Sequence, residues 1–141
     1  MRCGRRRGDW RWSLAKPRRY RPVVLTDPIH QSTIYVFCSP PAEAWAQAKR
    51  ILPRRTHASF ERDFTNHVPS SAGFAVRERS HIVIWIDALL TKSYLETLIH
   101  EAGHAGEIIM QRVGQEPAWG LETVRYIQDW VVREVRRAWR W

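Results

Sequence analysis

Residues 91–113 read TKSYLETLIHEAGHAGEIIMQRV, and this stretch decides the interpretation of the fold. Its apolar residues recur at three- and four-residue spacing, which is the period of a helix with one buried face. We expect that face to consist of Leu95, Leu98, Ile99, Ala102, Ala105 and Ile109. Thr91 or Ser93 is a plausible N-cap, and Gly114 is a typical residue just after a helix C-terminus. The stretch therefore predicts a long amphipathic helix.

Within this helix the run HEAGH places His100 and His104 four residues apart. Residues at that spacing lie on the same side of a helix, so both imidazoles can reach one metal ion. Zinc accepts imidazole nitrogen, and its catalytic sites hold three protein ligands with water in the fourth position. Glu101 follows the first histidine, where its carboxylate can take a proton from that water. The run predicts a Zn²⁺-dependent hydrolase acting on a peptide or isopeptide bond.

The motif is moderately specific on its own. With six histidines and nine glutamates in 141 positions, a chance match to H-E-x-x-H has a probability of roughly one to two in a hundred. Gly103 and Gly106 each cost the helix about 1 kcal/mol relative to alanine, which indicates close approach by another backbone or by a substrate. The competing interpretation is an ordinary amphipathic helix that carries two half-buried histidines.

A second helix after Pro117 offers a third metal ligand. Its apolar face is expected to contain Leu121, Val124, Ile127, Val131 and Val135. Glu122 lies near its start and is the candidate ligand. Glu107, one turn after His104, is a competing ligand, although a solvated glutamate on the helix face is the alternative interpretation for that residue.

The run HEAGH followed by Glu122 on a second helix resembles the gluzincin group of zinc metallopeptidases, especially its smallest members. It is also similar to small phage-encoded HEAxH proteins of unassigned role. The resemblance implies His100, His104 and Glu122 as zinc ligands and Glu101 as general base and acid. It also implies an α+β, zincin-like fold, in which a small mixed or antiparallel sheet accompanies a zinc helix packed on a glutamate helix.

This chain departs from the larger gluzincins at one position. They often place an acidic residue four positions after the ligand glutamate, whereas this chain has Tyr126 there. Tyr126 is a candidate catalytic residue that donates a hydrogen bond to the developing oxyanion, and a core tyrosine is the alternative.

The stretch GFAVRERSHIVIWID, residues 73–87, precedes the zinc helix and predicts a β-hairpin with strands at 74–77 and 81–86. The second strand is apolar enough for a central position in the sheet. In peptidases of the type described above, an edge strand beside the zinc helix binds the substrate as an added strand. We therefore take His81, Ile82 and Val83 as candidate substrate-binding residues, with a solvent-facing turn histidine as the alternative for His81.

Upstream of the hairpin, the run TIYVFCS at residues 33–39 predicts a strand. Residues 42–52 predict a helix that Ser39 caps and Pro53 ends. Residues 54–71 show no clear periodicity, and no element is predicted there.

The net charge of +9 is concentrated at the N-terminus. Residues 1–22 hold nine Lys or Arg and one acidic residue, without helical or strand periodicity, so we expect a flexible basic arm followed by a single domain at 23–141. Arginine binds phosphate and tryptophan stacks on bases, so the arm is a candidate contact for nucleic acid or an acidic partner surface. Its candidate residues are Arg5, Arg6, Arg7, Trp10, Arg11 and Trp12. A solubilising tail is the alternative.

The composition, 44% apolar and 26% charged, is that of a soluble globular domain. The sequence predicts no transmembrane segment or secretory signal, so we expect a cytoplasmic protein. Cys3 and Cys38 form neither a disulfide framework nor a CxxC site. The main functional alternative is a non-catalytic phage structural or nucleic-acid-associated protein that retains a zincin fold, with its zinc structural or lost.

Overall fold

A computed structural model describes residues 21–67, 72–78, 80–88, 94–114 and 121–140. Its strands are β1 (Val23–Thr26), β2 (Thr33–Ser39), β3 (Gly73–Glu78) and β4 (His81–Asp87). Its helices are α1 (Pro41–Ile51), α2 (His57–His67), α3 (Tyr94–Arg112) and α4 (Leu121–Trp139), and a short 3-10 turn (Arg54–Thr56) precedes α2. The predicted caps Thr91 and Ser93, Pro117, after which the second helix was expected to start, and the side chain of Leu121 lie outside the described residues.

The four strands form one mixed sheet in the order β1-β2-β4-β3. β2 and β4 are parallel, whereas the outer strands β1 and β3 each pair antiparallel with their neighbour. The predicted hairpin is confirmed as β3 and β4, and β4 holds the predicted central position. A strand buried on both faces reads as a nearly continuous apolar run, as IVIWI does. The α+β class with a small mixed sheet is therefore confirmed.

Alternate residues of β4 enter two separate cores. Ile82, Ile84 and Ile86 pack with α3 and α4 on one face of the sheet. Val83 and Trp85 pack with α1 and α2 on the other face. Because successive side chains of a strand point to opposite faces, the sheet is the middle of three layers.

Helix α2 was not predicted, because the sequence HASFERDFTNH contains several weak helix formers. Its stability comes from tertiary contacts instead. Phe60 and Phe64 stack on each other with ring centroids 6.0 Å apart, and Phe64 meets Trp85 of β4 edge to face at 5.7 Å. Strand β1 was also missed. The predicted cap of α1 is wrong, since Pro40 occupies the N-cap position and no side chain caps the helix.

The glycines of α3 allow α4 to approach closely, as predicted. A Cβ atom on Gly106 would lie 3.0 Å from the carbonyl oxygen of Val124, and one on Gly103 would lie 2.9 Å from Gln128 Nε2. Gln128 Nε2 also donates a hydrogen bond to the carbonyl of Ile99 at 2.7 Å. Of the predicted core stripe of α3, Leu98, Ala102, Ala105 and Ile109 are buried, whereas Leu95 is only half-buried and Ile99 is 40% exposed.

No helix in the described part of the chain is both long and apolar enough to cross a membrane.

Candidate metal and substrate site

The two histidines of the HEAGH run converge on the surface of α3. Their Nε2 atoms are 3.0 Å apart, and their rings are nearly perpendicular with centroids 4.6 Å apart. Both residues are exposed, so the pair lies on the solvent side of α3. Two nitrogens bound to one tetrahedral zinc ion at about 2.0 to 2.1 Å are roughly 3.3 Å apart. The described pair therefore fits two positions of such a site with only a small adjustment.

Glu107 lies on the other side of the His104 ring. Its Oε2 atom is 3.2 Å from His104 Nδ1, and the two side chains are about half exposed, at 51% and 46%. An acceptor at Nδ1 favours the tautomer protonated there, which leaves a lone pair on Nε2 directed toward His100. Glu107 is thus placed to orient His104. It does not lie on the Nε2 side of the ring, where a shared metal ligand is needed.

A cleft of about 320 Å³ opens beside the histidine pair. It lies between α3 and the first half of β3, and its lining includes His104, Glu101, Gly73, Phe74 and Ala75. Glu101 is only 7% exposed, in contrast to the histidines on either side of it in the motif. The geometry therefore brings a buried carboxylate and an exposed imidazole to one cavity whose wall is a strand.

Gly73 is necessary for the close approach of β3 to Glu101. A Cβ atom at this position would lie 2.7 Å from the carbonyl oxygen of Trp85 and 2.8 Å from Thr97 Cγ2. It would also lie 3.5 Å from Glu101 Cγ. Because a real Cβ does not tolerate the first two distances, only glycine allows the strand to begin here.

Glu122 and Tyr126 are not brought to this cleft. Val124 faces α3, and residues two positions apart on a helix are about 200° apart around its axis. Glu122 and Tyr126 therefore point away from α3, and both are exposed, Tyr126 by 47%. Tyr126 is neither the expected oxyanion donor nor the alternative core tyrosine. In the described ranges no group of three His, Cys, Asp or Glu side chains is arranged to hold a metal. The predicted assembly of Glu122 with the two histidines is not present.

The predicted substrate-binding residues also need correction. Ile82 and Val83 are 2% and 0% exposed and lie on β4, which pairs with β2 on one side and β3 on the other. They have no free edge for an added strand. The edge beside α3 belongs to β3, where residues 73–75 line the cleft.

His81 is not the expected solvent-facing turn residue. Both of its ring nitrogens are buried and have no hydrogen-bond partner among the described residues. Burial lowers the pKa of His81, and the nearby positive charges of Arg55 and Arg112 lower it further. His81 is therefore held in its neutral form, next to the ring of Tyr35 at a centroid distance of 5.5 Å.

Sequence reasoning missed the role of Gly73, Phe74 and Ala75, because the order of strands in a sheet is a tertiary property. The signal that pointed to Glu107 was present, namely its position one helical turn after His104. The arm residues Arg5, Arg6, Arg7, Trp10, Arg11 and Trp12 lie outside the described residues. Comparison of the chain with protein-family models, curated proteins and solved structures found no match.

Proposed function

We propose that this chain is a zinc-dependent hydrolase that cleaves a peptide bond of an extended polypeptide. One observation supports the proposal most: His104, whose Nε2 atom lies 3.0 Å from that of His100, lines one cleft together with the buried Glu101 and residues 73–75 of the edge strand β3. The competing interpretation, an ordinary amphipathic helix, does not account for this arrangement.

His100 and His104 would hold the metal through their Nε2 atoms, which already lie 3.0 Å apart. Glu107 would keep His104 in the tautomer that binds metal. When bound, zinc polarises a carbonyl group and lowers the pKa of water toward about 7.

Glu101 would act as general base and then as general acid. Its carboxylate accepts the proton of the attacking water and later delivers it to the nitrogen of the leaving amine. The burial of Glu101 supports this role, because a carboxylate shielded from bulk water keeps the transferred proton within the site.

Strand β3 would position the substrate. Among the described residues, only one of its edges pairs with another strand, so the opposite edge can bind a peptide backbone by strand addition. Gly73 and Ala75 line the cleft with Glu101, so a peptide added there passes the proposed catalytic group.

Metal analysis provides the first test. Protein purified without chelator should contain about one zinc per chain, and a His100→Ala/His104→Ala double variant should lose at least about 100-fold in zinc affinity. His30→Gln, which alters a histidine held by Asp27 elsewhere on the surface, is the control and should bind zinc normally. Absence of zinc binding by the unmodified protein would exclude this function.

Activity provides the second test, with a quenched-fluorescent peptide library as substrate. Cleavage should be inhibited by 1,10-phenanthroline and not by its non-chelating 1,7 isomer. Glu101→Gln should abolish cleavage while zinc content and melting temperature stay nearly unchanged. Zinc binding without any cleavage would favour the non-catalytic alternative, and full cleavage by Glu101→Gln would remove that residue from the mechanism.

A further inference from the structure

A second surface, which is lined by arginines rather than by histidine and glutamate, lies along the C-terminal half of α4. Here α4 and Ile99 of α3 form a groove of about 570 Å³. We call it the arginine groove, because its lining includes Arg133, Arg136, Arg137 and Arg140, together with Ile99, Gln128, Asp129 and Val132. Arginines at these spacings follow one face of the helix, with neighbours roughly one turn, or about 5.4 Å, apart.

The protein itself neutralises the four arginines of the groove only in part, since Asp129 is the one carboxylate in the described lining. Glu134 makes only long contacts, 3.8 Å to Arg133 and 3.7 Å to Arg137. Exposed pairs of this length contribute little to stability. Arg136 Nε is buried without a hydrogen-bond partner among the described residues. The side chains of Arg133, Arg137 and Arg140 are exposed, so the positive charge that the groove presents to solvent is complementary to an anion.

The arginine groove also lies next to the start of the basic arm. Trp139, buried at the end of α4, donates a hydrogen bond from Nε1 to the carbonyl of Arg21 at 2.7 Å. Arg21 follows residues 1–20, which carry eight Lys or Arg and one acidic residue. This contact fixes the junction with the arm at the same end of α4 as Arg136 and Arg140. Arg21, the residue that follows the basic segment in sequence, therefore lies beside the C-terminal end of α4.

We propose that the arginine groove binds the phosphate backbone of a nucleic-acid strand, without sequence preference. Guanidinium groups bind phosphate in a bidentate manner, and a row of them along a helix matches a chain of phosphates. A membrane surface fits less well, since Val131, Val135 and Trp139 are fully buried and only Ile99 and the half-buried Val132 add apolar surface to the described lining of the groove.

The test measures binding of the full chain to a fluorescein-labelled single-stranded DNA of about 20 nucleotides by anisotropy, between about 50 and 200 mM salt. Arg133→Gln/Arg137→Gln/Arg140→Gln should weaken binding by roughly tenfold or more. It should also make the salt dependence of log Kd shallower by about 2, since each lost phosphate contact on a single strand removes about 0.7. Arg136 is left intact because its Nε is buried.

The matched control is Arg50→Gln/Arg54→Gln/Arg125→Gln, which removes the same charge from exposed positions outside the groove. It should change the salt slope little. Equal weakening by both triple variants would overturn the proposal, since the effect would then come from net charge alone. Polyglutamate that displaces the protein as well as unlabelled DNA does would also overturn it, in favour of an acidic protein partner. The proposal would also be overturned, in favour of a membrane surface, if the groove triple variant lost binding to phosphatidylserine vesicles while its DNA binding stayed unchanged.

Discussion

At the scale of single residues, the HEAGH motif predicted the position of its two histidines, and the structure adds the contact of Glu107 with His104. His100 and His104 converge because residues four apart share a helix face, which is a local property that sequence spacing predicts. Glu122 did not join them, because the direction of a side chain on α4 depends on how that helix rotates against α3. Spacing along the chain carries no information about that rotation.

This difference between the two glutamates can be tested directly. Glu107→Gln should lower zinc affinity by about 10- to 100-fold, because the neutral amide orients His104 less strongly than a carboxylate does. Glu122→Gln is the matched control and should leave affinity unchanged, since Glu122 points away from the pair. Competition with a chromogenic chelator measures both. A larger loss in Glu122→Gln than in Glu107→Gln would restore Glu122 as a ligand.

At the scale of elements, the sequence predicted those whose pattern is local and strong. Strand β2, the β3–β4 hairpin and helix α3 all follow from hydrophobic period and turn residues. Helix α2 could not be predicted in this way, because its aromatic contact with Trp85 requires the folded sheet. The identity of the edge strand could not be predicted from the sequence either. β4 is the strand that directly precedes α3 along the chain, but β3 is the strand that lies beside α3 at the cleft.

The contact between α2 and β3 contains a buried acid that should make stability depend on pH. Glu78 is 1% exposed and accepts a hydrogen bond from the Ser59 hydroxyl. Burial, reinforced by the neighbouring carboxylate of Asp63, raises the pKa of Glu78 to about 7. The folded state therefore holds this proton more tightly than the unfolded state. The contribution of protonated Glu78 to the free energy of unfolding is fully present below the unfolded pKa near 4.5, and it is lost as pH rises toward about 7.

Glu78→Gln removes this titration while keeping an acceptor for Ser59. Relative to the unmodified protein, the variant should gain stability between about pH 5 and pH 8, by up to about 3 kcal/mol. His81, whose pKa is lowered, has the opposite pH dependence, but it is present in both proteins and cancels in the difference. Urea unfolding at the two pH values measures the effect. A difference that does not vary with pH would show that Glu78 is already ionised in the folded state.

At the scale of the whole molecule, two cores on opposite faces of one sheet make the fold independent of any metal. The core between the sheet and α3 and α4 is packed from apolar side chains, including Leu98, Ala102 and Ile127 at 0% exposure, and its Tyr94 and Trp139 donate hydrogen bonds to backbone carbonyls. The histidine pair lies outside it, on the exposed face of α3. A metal bound there can contribute only its binding free energy to stability, whereas a structural metal supplies the folding free energy of its domain.

Removing zinc should therefore leave the chain folded. With chelator present, we expect cooperative thermal unfolding and an unchanged far-ultraviolet circular dichroism spectrum. Added zinc should raise the melting temperature progressively with its concentration, as ligand binding to a preformed site requires. His100→Ala/His104→Ala should match the chelated protein and should no longer respond to zinc. If chelation instead abolishes cooperative unfolding, zinc is a structural component of the fold. The two cores would then be insufficient alone, and the catalytic interpretation of the histidine pair would lose its physical basis.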